Sequence, residues 1–444
     1  MRAIGLIALL LVAARLQASE DGGAGAPAAP PAPIRISLPA LAASGVRDWL
    51  ALPYMTGRLG GARDLMQSHG VSLDGVYQTD ILGNATGGID RKVRYYHDIS
   101  LVLGLDLEKI ARLPGARFVA SMSSRAGVSL SDEDIGNVFN VAQVCCEPQT
   151  RLVDLAWEQT LWNRRLSYRI GHLATGDDFA ASPFFDQFVT SGIDANPGSL
   201  AFNVPFTEYP AATAGAMVKL RPLPHWFVQA GVYNGSASNV GRKGVNLGFD
   251  VDQGILVVAE TGYRLAPPIG GQKLPGHYRV GGYYHTGRFS RFDAPSGSQL
   301  PSDNEYGNGG YYFLLDQTVY RRTGATQGGV SPFLSLAFAP SEEINEFPFF
   351  FNAGVVYDGP FASRPNDAIL FGILYGAFSR DLRRSQAGSP SGQQDFEMVL
   401  EWSYVIALGP WLQFQPDIQY VVRPGGTGNI PDSLVLGAQI TVEM

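Results

Sequence analysis

Apolar and polar residues alternate with a period of two along most of the chain between Val71 and Met444, and the last segment shows this pattern best. Its apolar positions are Leu434, Leu436, Ala438, Ile440, Val442 and Met444, and polar or small residues lie between them. Successive side chains of a β-strand point to opposite faces of the sheet. The segment therefore predicts a strand with one apolar and one polar face.

Sixteen segments of the chain carry this pattern. We place them at 71–82, 97–107, 116–125, 151–160, 166–172, 213–221, 225–234, 254–265, 277–288, 309–321, 330–339, 347–358, 368–380, 395–408, 411–422 and 433–444. Strands that face hydrocarbon have to close into a barrel, because no water is present to satisfy the backbone groups of an open edge, and bacterial single-chain barrels have even strand numbers. The pattern predicts an all-β fold, a transmembrane antiparallel up-and-down β-barrel of about 16 strands with a short N-terminal helix at 60–69.

The lengths of the connections give a second test. In a bacterial barrel, short periplasmic turns alternate with longer outer loops. Short connections occur at 161–165, 221–225 and 408–411, whereas the long ones, which fall on the opposite side, are 126–150, 173–212, 235–253, 289–308 and 381–394. Only 340–346 is short on the side of the long loops. This sorting favours a barrel over a soluble β-sandwich.

The first residues indicate export from the cytoplasm. Residues 1–18 combine Arg2, an apolar stretch that is too short to span a bilayer and the small residue Ala18, which is typical of a cleaved signal peptide. Residues 19–54 begin with an Ala/Pro/Gly-rich stretch, so we interpret them as a flexible periplasmic lead. We expect the barrel domain to occupy 55–444, and the outer membrane to be the location of the protein.

The composition argues against several other classes of protein. Only 16% of the 444 residues are charged, against about 25% in typical soluble domains, and the formal net charge is −7. Lys and Arg are scattered, which argues against nucleic-acid binding. The chain carries no HExxH, GxSxG or GxxxxGK[ST] motif, and its six histidines are dispersed, so we expect no catalytic centre, metal or cofactor. Cys145 and Cys146 are adjacent, which excludes a CxxC zinc site and leaves two thiols or a local redox pair.

Several segments together resemble the OprB-type carbohydrate-selective porins, over nearly all of the mature chain. They are residues 55–63 (MTGRLGGAR), 101–109 (LVLGLDLEK), 166–173 (LSYRIGHL), 281–289 (GGYYHTGRF) and 415–426 (QPDIQYVVRPGG). The resemblance implies a sixteen-stranded barrel that admits sugars and related neutral solutes by diffusion, without a cofactor. The chain departs from the family at Arg58–Leu59, where Asp-Trp is usual, and at its last residue, Met444, where Phe is usual.

The alternation also predicts which side chains face the lumen. Arg117 and Arg125 point inward on 116–125. On 151–160, Val153, Leu155 and Trp157 are expected to face lipid and Asp154 and Glu158 the lumen, where Arg169 on 166–172 faces both carboxylates. Because opposite charges on neighbouring strands support one another, this hairpin is our first candidate for the waist of the pore.

Two further sets are candidates for the pore lining. The first comprises Glu260, Arg264, Arg279, Tyr283 and His285, on segments 254–265 and 277–288. The alternative for any of these residues is that it only stabilises the inner wall, away from the constriction. The second set lies on the loop 173–212, which is long enough to be functional and carries the constriction candidates Asp177, Asp178, Phe184, Phe185 and Asp186. The loop either folds into the barrel or forms an outer lid.

We therefore expect a passive outer-membrane porin for carbohydrates and similar small hydrophilic solutes. The alternatives are a general diffusion porin, an outer-membrane barrel enzyme such as a lipase-like hydrolase, and a structural or adhesive barrel with a plugged lumen. The expected partners are outer-membrane lipid, the permeating solutes and the barrel-assembly machinery, with the barrel a monomer or a homotrimer.

Overall fold

The computed structural model describes residues 45–145, 148–194, 196–236, 243–244, 248, 251–295 and 300–444. The predicted signal peptide and most of the predicted lead, up to residue 44, lie outside the described residues. The last residues of the predicted lead, 45–54, carry a short helix.

Within the described residues, sixteen antiparallel strands close into one barrel. They are β1 (Val71–Thr86), β2 (Val93–Asp106), β3 (Ala116–Gly127), β4 (Gln149–Leu161), β5 (Leu166–Leu173), β6 (Thr213–Leu223), β7 (Trp226–Asn234), β8 (Ile255–Leu265), β9 (Gly276–Ser290), β10 (Asn304–Gln317), β11 (Gly329–Phe338), β12 (Phe349–Asp358), β13 (Ala368–Ala377), β14 (Phe396–Ala407), β15 (Leu412–Val422) and β16 (Ser433–Glu443). Each strand pairs with its neighbours in sequence, and β1 pairs with β16. The predicted closed barrel is confirmed.

Alternation sorts the side chains of each strand between the two faces of the barrel wall. On β10, Tyr311, Phe313 and Leu315 are exposed on the outside, and the side chains between them are buried on the inside. The sequence did not decide the orientation of this strand, because Asp316 and Gln317 are adjacent. In the structure Asp316 is buried and faces inward. An apolar outer face of this kind suits contact with acyl chains.

A β-bulge between β3 and β4 overturns one sequence-based expectation. Ala120 pairs with Leu155 and Met122 with Leu152, so Val153 and Asp154 together oppose Ser121. A bulge of this type adds one residue to a strand and shifts the alternation of faces beyond it. Val153, which we expected to face lipid, is instead fully buried with Ala174 and Ala212. Asp154 remains inside, where its carboxylate accepts a hydrogen bond of 2.6 Å from Ser121 Oγ.

The remaining elements are short. The α-helices are α1 (Val46–Leu50), α2 (Ala62–Ser68), α3 (Leu107–Ala111), α4 (Thr175–Asp178), α5 (Ser199–Asn203) and α6 (Arg380–Ser385). Single turns of 3₁₀ or π-helix occur at Leu59–Gly61, Ser131–Ile135, Phe185–Gln187, Pro301–Asp303 and Pro424–Gly426, and a small hairpin pairs Pro268–Ile269 with Gln272–Lys273. The helix predicted at 60–69 corresponds to α2 and the turn before it. Among the described residues, none of the helices has the length and apolar character needed to cross a membrane.

The segment before β1 is attached to the seam where the barrel closes. We call the rim where β1 begins and β16 ends the near rim, and the opposite one the far rim. Met55 N donates to Glu443 O at 3.0 Å, and Arg63 Nη2 donates to Met444 O at 2.9 Å. Trp411 Nε1 donates to Trp49 O at 3.2 Å. These bonds connect the segment before β1 to the last two strands of the barrel at the near rim.

Gly171 on β5 is expected to be essential for the hairpin that carries Arg169. Its φ is +143°, and an added Cβ would lie 2.2 Å from Leu155 O. We expect Gly171→Ala to lower the free energy of unfolding by about 1–3 kcal/mol, because the strained backbone and the wall of β4 would both have to shift. Urea unfolding of the refolded barrel in detergent measures this change.

Gly75→Ala is the matched control. The two nearest atoms to a Cβ there would be the flexible ends of Leu101 and Met444, at 3.0 and 3.3 Å. Equal unfolding midpoints for the two variants would contradict the role that we assign to Gly171.

Candidate functional site: the lumen and its constriction

The loop between β5 and β6, residues 174–212, crosses the inside of the barrel, and we call it the lumen loop. At one side of the barrel, Ala180 N donates to the carboxylate of Glu260 on β8 at 2.9 Å. At the other side, Val189 N and Thr190 N donate to the carboxylate of Glu401 on β14 at 2.8 and 2.9 Å. Both carboxylates project from the inner face of the wall. Of the two arrangements left open by the sequence, the structure therefore has the inward-folded loop.

Aromatic side chains add an apolar anchor to the same loop. The rings of Phe185 and Phe188 lie 5.7 and 5.5 Å from the ring of Phe333 on the inner face of β11, in edge-to-face contact. Phe184 stacks on the same ring at 6.5 Å. The rings predicted to narrow the pore thus fasten the loop to the wall, whereas Asp186 between them is exposed.

The loop between β3 and β4 also enters the barrel and binds the lumen loop. Val138 N and Phe139 N donate to the carboxylate of Glu397 on β14 at 2.9 and 2.8 Å. Gln143 N donates to Val189 O of the lumen loop at 2.8 Å. Cys145, near the end of this loop, is disulfide-bonded, and Cys146 lies outside the described residues. The two loops together form a partition that narrows the lumen.

Arg169 is the centre of the strongest charge cluster of the inner wall. Its Nη2 lies 3.5 Å from Asp154 Oδ1, its Nε 3.0 Å from Glu158 Oε1 and its Nη1 2.8 Å from Asp178 Oδ2. Asp178 belongs to α4 in the lumen loop, so this one guanidinium joins the wall to the loop. Arg117 Nη1 extends the cluster, at 3.7 Å from the other oxygen of Glu158. The structure thus brings together five of the sequence-predicted residues.

The second predicted set is divided between different environments. Glu260 is buried under the lumen loop and also accepts a hydrogen bond from Tyr312 Oη at 3.0 Å. Arg279 donates to the carbonyl oxygen of Ala181 in the lumen loop. Tyr283 and His285 are buried, and His285 Nε2 lies 2.8 Å from Gly235 O near the far rim. Arg264 is exposed close to the near rim.

Arg125 lies above the Arg169 cluster, toward the far rim, and reveals two residues that sequence reasoning missed. Its Nε lies 3.5 Å from Asp98 Oδ2 on β2, and its guanidinium carbon lies 5.4 Å from the ring centroid of Tyr209 in the lumen loop. Tyr209 Oη in turn donates to Asp98 Oδ2 at 3.2 Å. The alternation of apolar and polar residues along β2 could have placed Asp98 on the inner face. It does not predict the contact with Tyr209, which lies on a distant loop.

Glu397 and Glu401, which hold both loops, were also absent from the predicted site. The alternation of β14 placed them on the polar face of the strand. Their role depends on backbone N–H groups more than 200 positions away in sequence, Val138 and Val189 among them. A residue pattern within one strand contains no information about such partners.

Burial raises the pKa values of several carboxyl groups of the lumen loop above their ordinary range, and those of Asp178 and Asp194 are among them. Enclosure by the barrel raises the pKa of Asp177 to about 7; the nearby carboxylates of Asp154 and Asp178 act in the same direction, and Arg169 opposes them. Burial raises the pKa of Glu208 to about 8. The charge of the lumen therefore depends on pH between about 6 and 9.

Comparison with known proteins places these features in a family. The model of the carbohydrate-selective porins of the OprB family matches residues 90–444. This chain belongs to that family. It is an outer-membrane carbohydrate porin, so the near rim, which carries the short turns, faces the periplasm. Porin B of Pseudomonas aeruginosa is 28% identical over 418 residues, which cover 87% of this chain and 90% of that protein.

Other known proteins and solved structures are also similar to this chain. The putative porin QuiX of Acinetobacter baylyi is 24% identical and covers 88% of this chain and 92% of its own length. The high-pH structure of Pseudomonas putida OprB superposes with a TM-score of 0.81 at 25% identity, over 89% of this chain and 99% of that one. The low-pH structure of the same protein gives a TM-score of 0.59 at 21% identity and the same coverage.

The carboxylate of Glu401 is expected to keep the lumen loop in place. Glu401→Gln leaves one acceptor oxygen for two backbone N–H groups, so docking should weaken by about 1.5–3 kcal/mol, as for hydrogen bonds to charged groups. We expect a higher and noisier single-channel conductance in planar bilayers. The control is Glu443→Gln, which removes an exposed charge at the near rim. Identical traces for wild type and Glu401→Gln would refute this role.

The ion selectivity of the pore is expected to change with pH. Because the pKa values of Asp177 and Glu208 are raised to about 7 and 8, both groups are neutral at pH 5 and ionised at pH 9. The lumen gains negative charge as the pH rises, so the permeability ratio of chloride to potassium should fall. Reversal potentials in a salt gradient measure this ratio.

The double variant Asp177→Asn/Glu208→Gln removes two of the titrating groups and should weaken the pH dependence. Asp132→Asn, on an exposed part of the loop between β3 and β4, is the control and should leave the pH dependence unchanged. An undiminished pH dependence in the double variant would show that other groups titrate.

Proposed function

We propose that sugars and similar small neutral solutes diffuse through this barrel past a waist formed by Arg169 and the carboxylates around it. The observation that supports this most directly is the contact between Arg169 on the wall and Asp178 on the lumen loop, at 2.8 Å. It lies where the inward-folded loop contacts a wall that carries donors and acceptors. Such a place combines narrow width with polar groups, the two properties by which a pore selects.

The arrangement suits a neutral solute rich in hydroxyl groups. A guanidinium offers several N–H donors in fixed directions, and a carboxylate offers only acceptors. The hydroxyl groups of a sugar can exchange water for either kind of partner while the solute crosses the waist. Because Arg169 and Arg117 offset two of the three carboxylates of the cluster, only a small negative excess remains to attract ions. We infer passive, selective diffusion, with no energy source in the protein.

We also propose that the chain has no catalytic role. The rival hypothesis, a lipase-like hydrolase, needs a serine and a histidine in contact on neighbouring strands of the lipid-facing wall. The two buried histidines of the wall bind backbone carbonyl groups instead: His172 lies 2.6 Å from Val153 O and His285 binds Gly235 O. A lipid-hydrolysis assay on the purified barrel tests this proposal, and turnover above a detergent blank would overturn it.

The closed transmembrane barrel is also the basis of a proposal about how the protein is inserted and assembled. We propose that the barrel-assembly machinery inserts the chain into outer-membrane lipid, and that it functions as a monomer or a homotrimer. Light scattering of the detergent-solubilised barrel distinguishes the two oligomeric states.

Liposome swelling with sugars of graded size tests the proposed waist. Wild type should pass glucose much faster than the trisaccharide raffinose, whereas Arg169→Ala frees three carboxylates and detaches α4 from the wall. We expect the ratio of the two rates to fall by about tenfold, which corresponds to about 1.4 kcal/mol of lost discrimination.

The control for this experiment is Arg380→Ala. This residue carries the same charge but lies on α6 at the far rim, where its side chain is 77% exposed and paired with Glu342. Unchanged discrimination in Arg169→Ala would remove the waist assignment. An unselective response of the wild type would favour a general diffusion porin, and no swelling at all would favour a plugged structural barrel.

A further inference from the structure

Four basic side chains surround a cavity on the inner wall close to the near rim. The cavity has a volume of about 200 Å³, and its cationic lining consists of Lys219 and Arg221 from β6, Arg264 from β8 and Arg279 from β9. Among the described residues, no aspartate or glutamate lines this cavity. We call these four residues the inner cation cluster. It lies on the periplasmic side of the Arg169 waist and was not part of the predicted site, apart from Arg264 and Arg279.

The register of the strands and one aromatic ring set the positions of these cations. Gly262 on β8 pairs with Phe227 on one side and Arg279 on the other. A Cβ on Gly262 would lie 2.3 Å from the ring of Phe227, so the ring occupies the space that a side chain would fill. Lys219 Nζ lies 4.1 Å from the centroid of the same ring. The ring thus supports Lys219 by a cation–π contact without neutralising it.

The neighbouring carboxylates are already bound by other groups. Glu260, one level deeper, accepts hydrogen bonds from Ala180 N and Tyr312 Oη. Asp316 Oδ1 lies 2.7 Å from His277 Nδ1, and Asp178 binds Arg169. Across the part of the chain that the structure describes, Lys219, Arg221 and Arg264 form no ion pair with a carboxylate. Arg279 donates only to a neutral carbonyl oxygen.

Four basic side chains near only two carboxylates, those of Glu260 and Asp178, keep an excess of positive charge, which is unfavourable unless something compensates it. Like charges repel, and a low-dielectric wall focuses their field into the lumen. The cavity has room for several water molecules or one small hydrated anion. Rings of Lys and Arg are the usual means by which pores favour anions. The cluster is therefore built to receive negative charge from a solute.

We propose that the inner cation cluster binds the carboxylate of sugar acids, so that the pore passes acidic as well as neutral sugars. This inference rests on the proposed function, because only a pore that admits sugars brings a sugar acid to this position. A solute that leaves the waist carries its hydroxyl groups past Arg169 and then presents its carboxylate to Lys219 and Arg221. Arg221 supplies a planar fork of donors that matches the two oxygens of a carboxylate.

Planar-bilayer recordings with gluconate and glucose as probes test the proposal. With a potassium chloride gradient at neutral pH, the wild-type pore should be more permeable to chloride than to potassium. Gluconate added on the near-rim side, at constant ionic strength, should reduce the current at lower concentrations than glucose does. In the double variant Lys219→Gln/Arg221→Gln, the half-blocking concentration of gluconate should rise by about tenfold, which corresponds to about 1.4 kcal/mol of lost binding free energy. The preference of the pore for chloride over potassium should also fall.

Lys273→Gln is the matched control. It removes one positive charge at the same rim, from the exposed hairpin outside the cavity, and should leave the gluconate block unchanged. The proposal is overturned if the double variant keeps the wild-type gluconate block, or if Lys273→Gln weakens it as much, since either result would deny a specific site. Glucose flux through the wild type separates this failure from that of the proposed function: a pore that passes glucose but ignores gluconate contradicts only this inference.

Discussion

The pairing of β1 with β16 is the constraint on which the rest of the structure depends. Ten residue pairs join the two strands, from Val76 with Glu443 to Thr86 with Leu434. Without this pairing both strands would present unpaired N–H and C=O groups to hydrocarbon, where no water can bind them. The segment before β1 reinforces the same seam, because Arg63 binds the last carbonyl group of the chain. Closure also fixes the number of strands, and hence the width of the interior that side chains and loops have to fill.

Closure creates a polar interior, and that interior determines how the pore is narrowed. Every inward carboxylate needs a partner, since an unpaired charge in an enclosed space is costly. Glu397 and Glu401 find theirs in backbone N–H groups of two loops, and Arg169 finds three carboxylates. The contacts that satisfy the wall are therefore the same contacts that draw the loops inward. Stability of the wall and narrowness of the lumen have one common cause.

Much of this architecture could be predicted from residues that are close in sequence. The alternation of apolar and polar residues with a period of two predicted all sixteen strands. The inward orientation of Asp154, Glu158 and Arg169 followed from the same alternation, because β4 and β5 form a hairpin. The same rule failed at Val153, where one extra residue shifts the alternation. It also could not identify what Glu401 binds, or that Phe185 anchors a loop to Phe333, since these contacts join distant segments. Local patterns determine which face a side chain occupies, and closure of the whole chain determines its partner.

The distribution of charge along the lumen gives the two cationic sites different properties. At the proposed waist, the guanidinium groups of Arg169 and Arg117 share three carboxylates, so the cluster offers hydrogen bonds and retains only a small negative excess. Nearer the periplasmic rim, Lys219 and Arg221 line a cavity with an aromatic ring and further basic side chains, and among the described residues neither forms an ion pair with a carboxylate. A neutral solute responds mainly to the first site, because it can exchange water for donors and acceptors there. A charged solute responds to both sites, because the unbalanced field of the second extends into the lumen. Selection by hydrogen bonding and selection by charge are thus separated along one path.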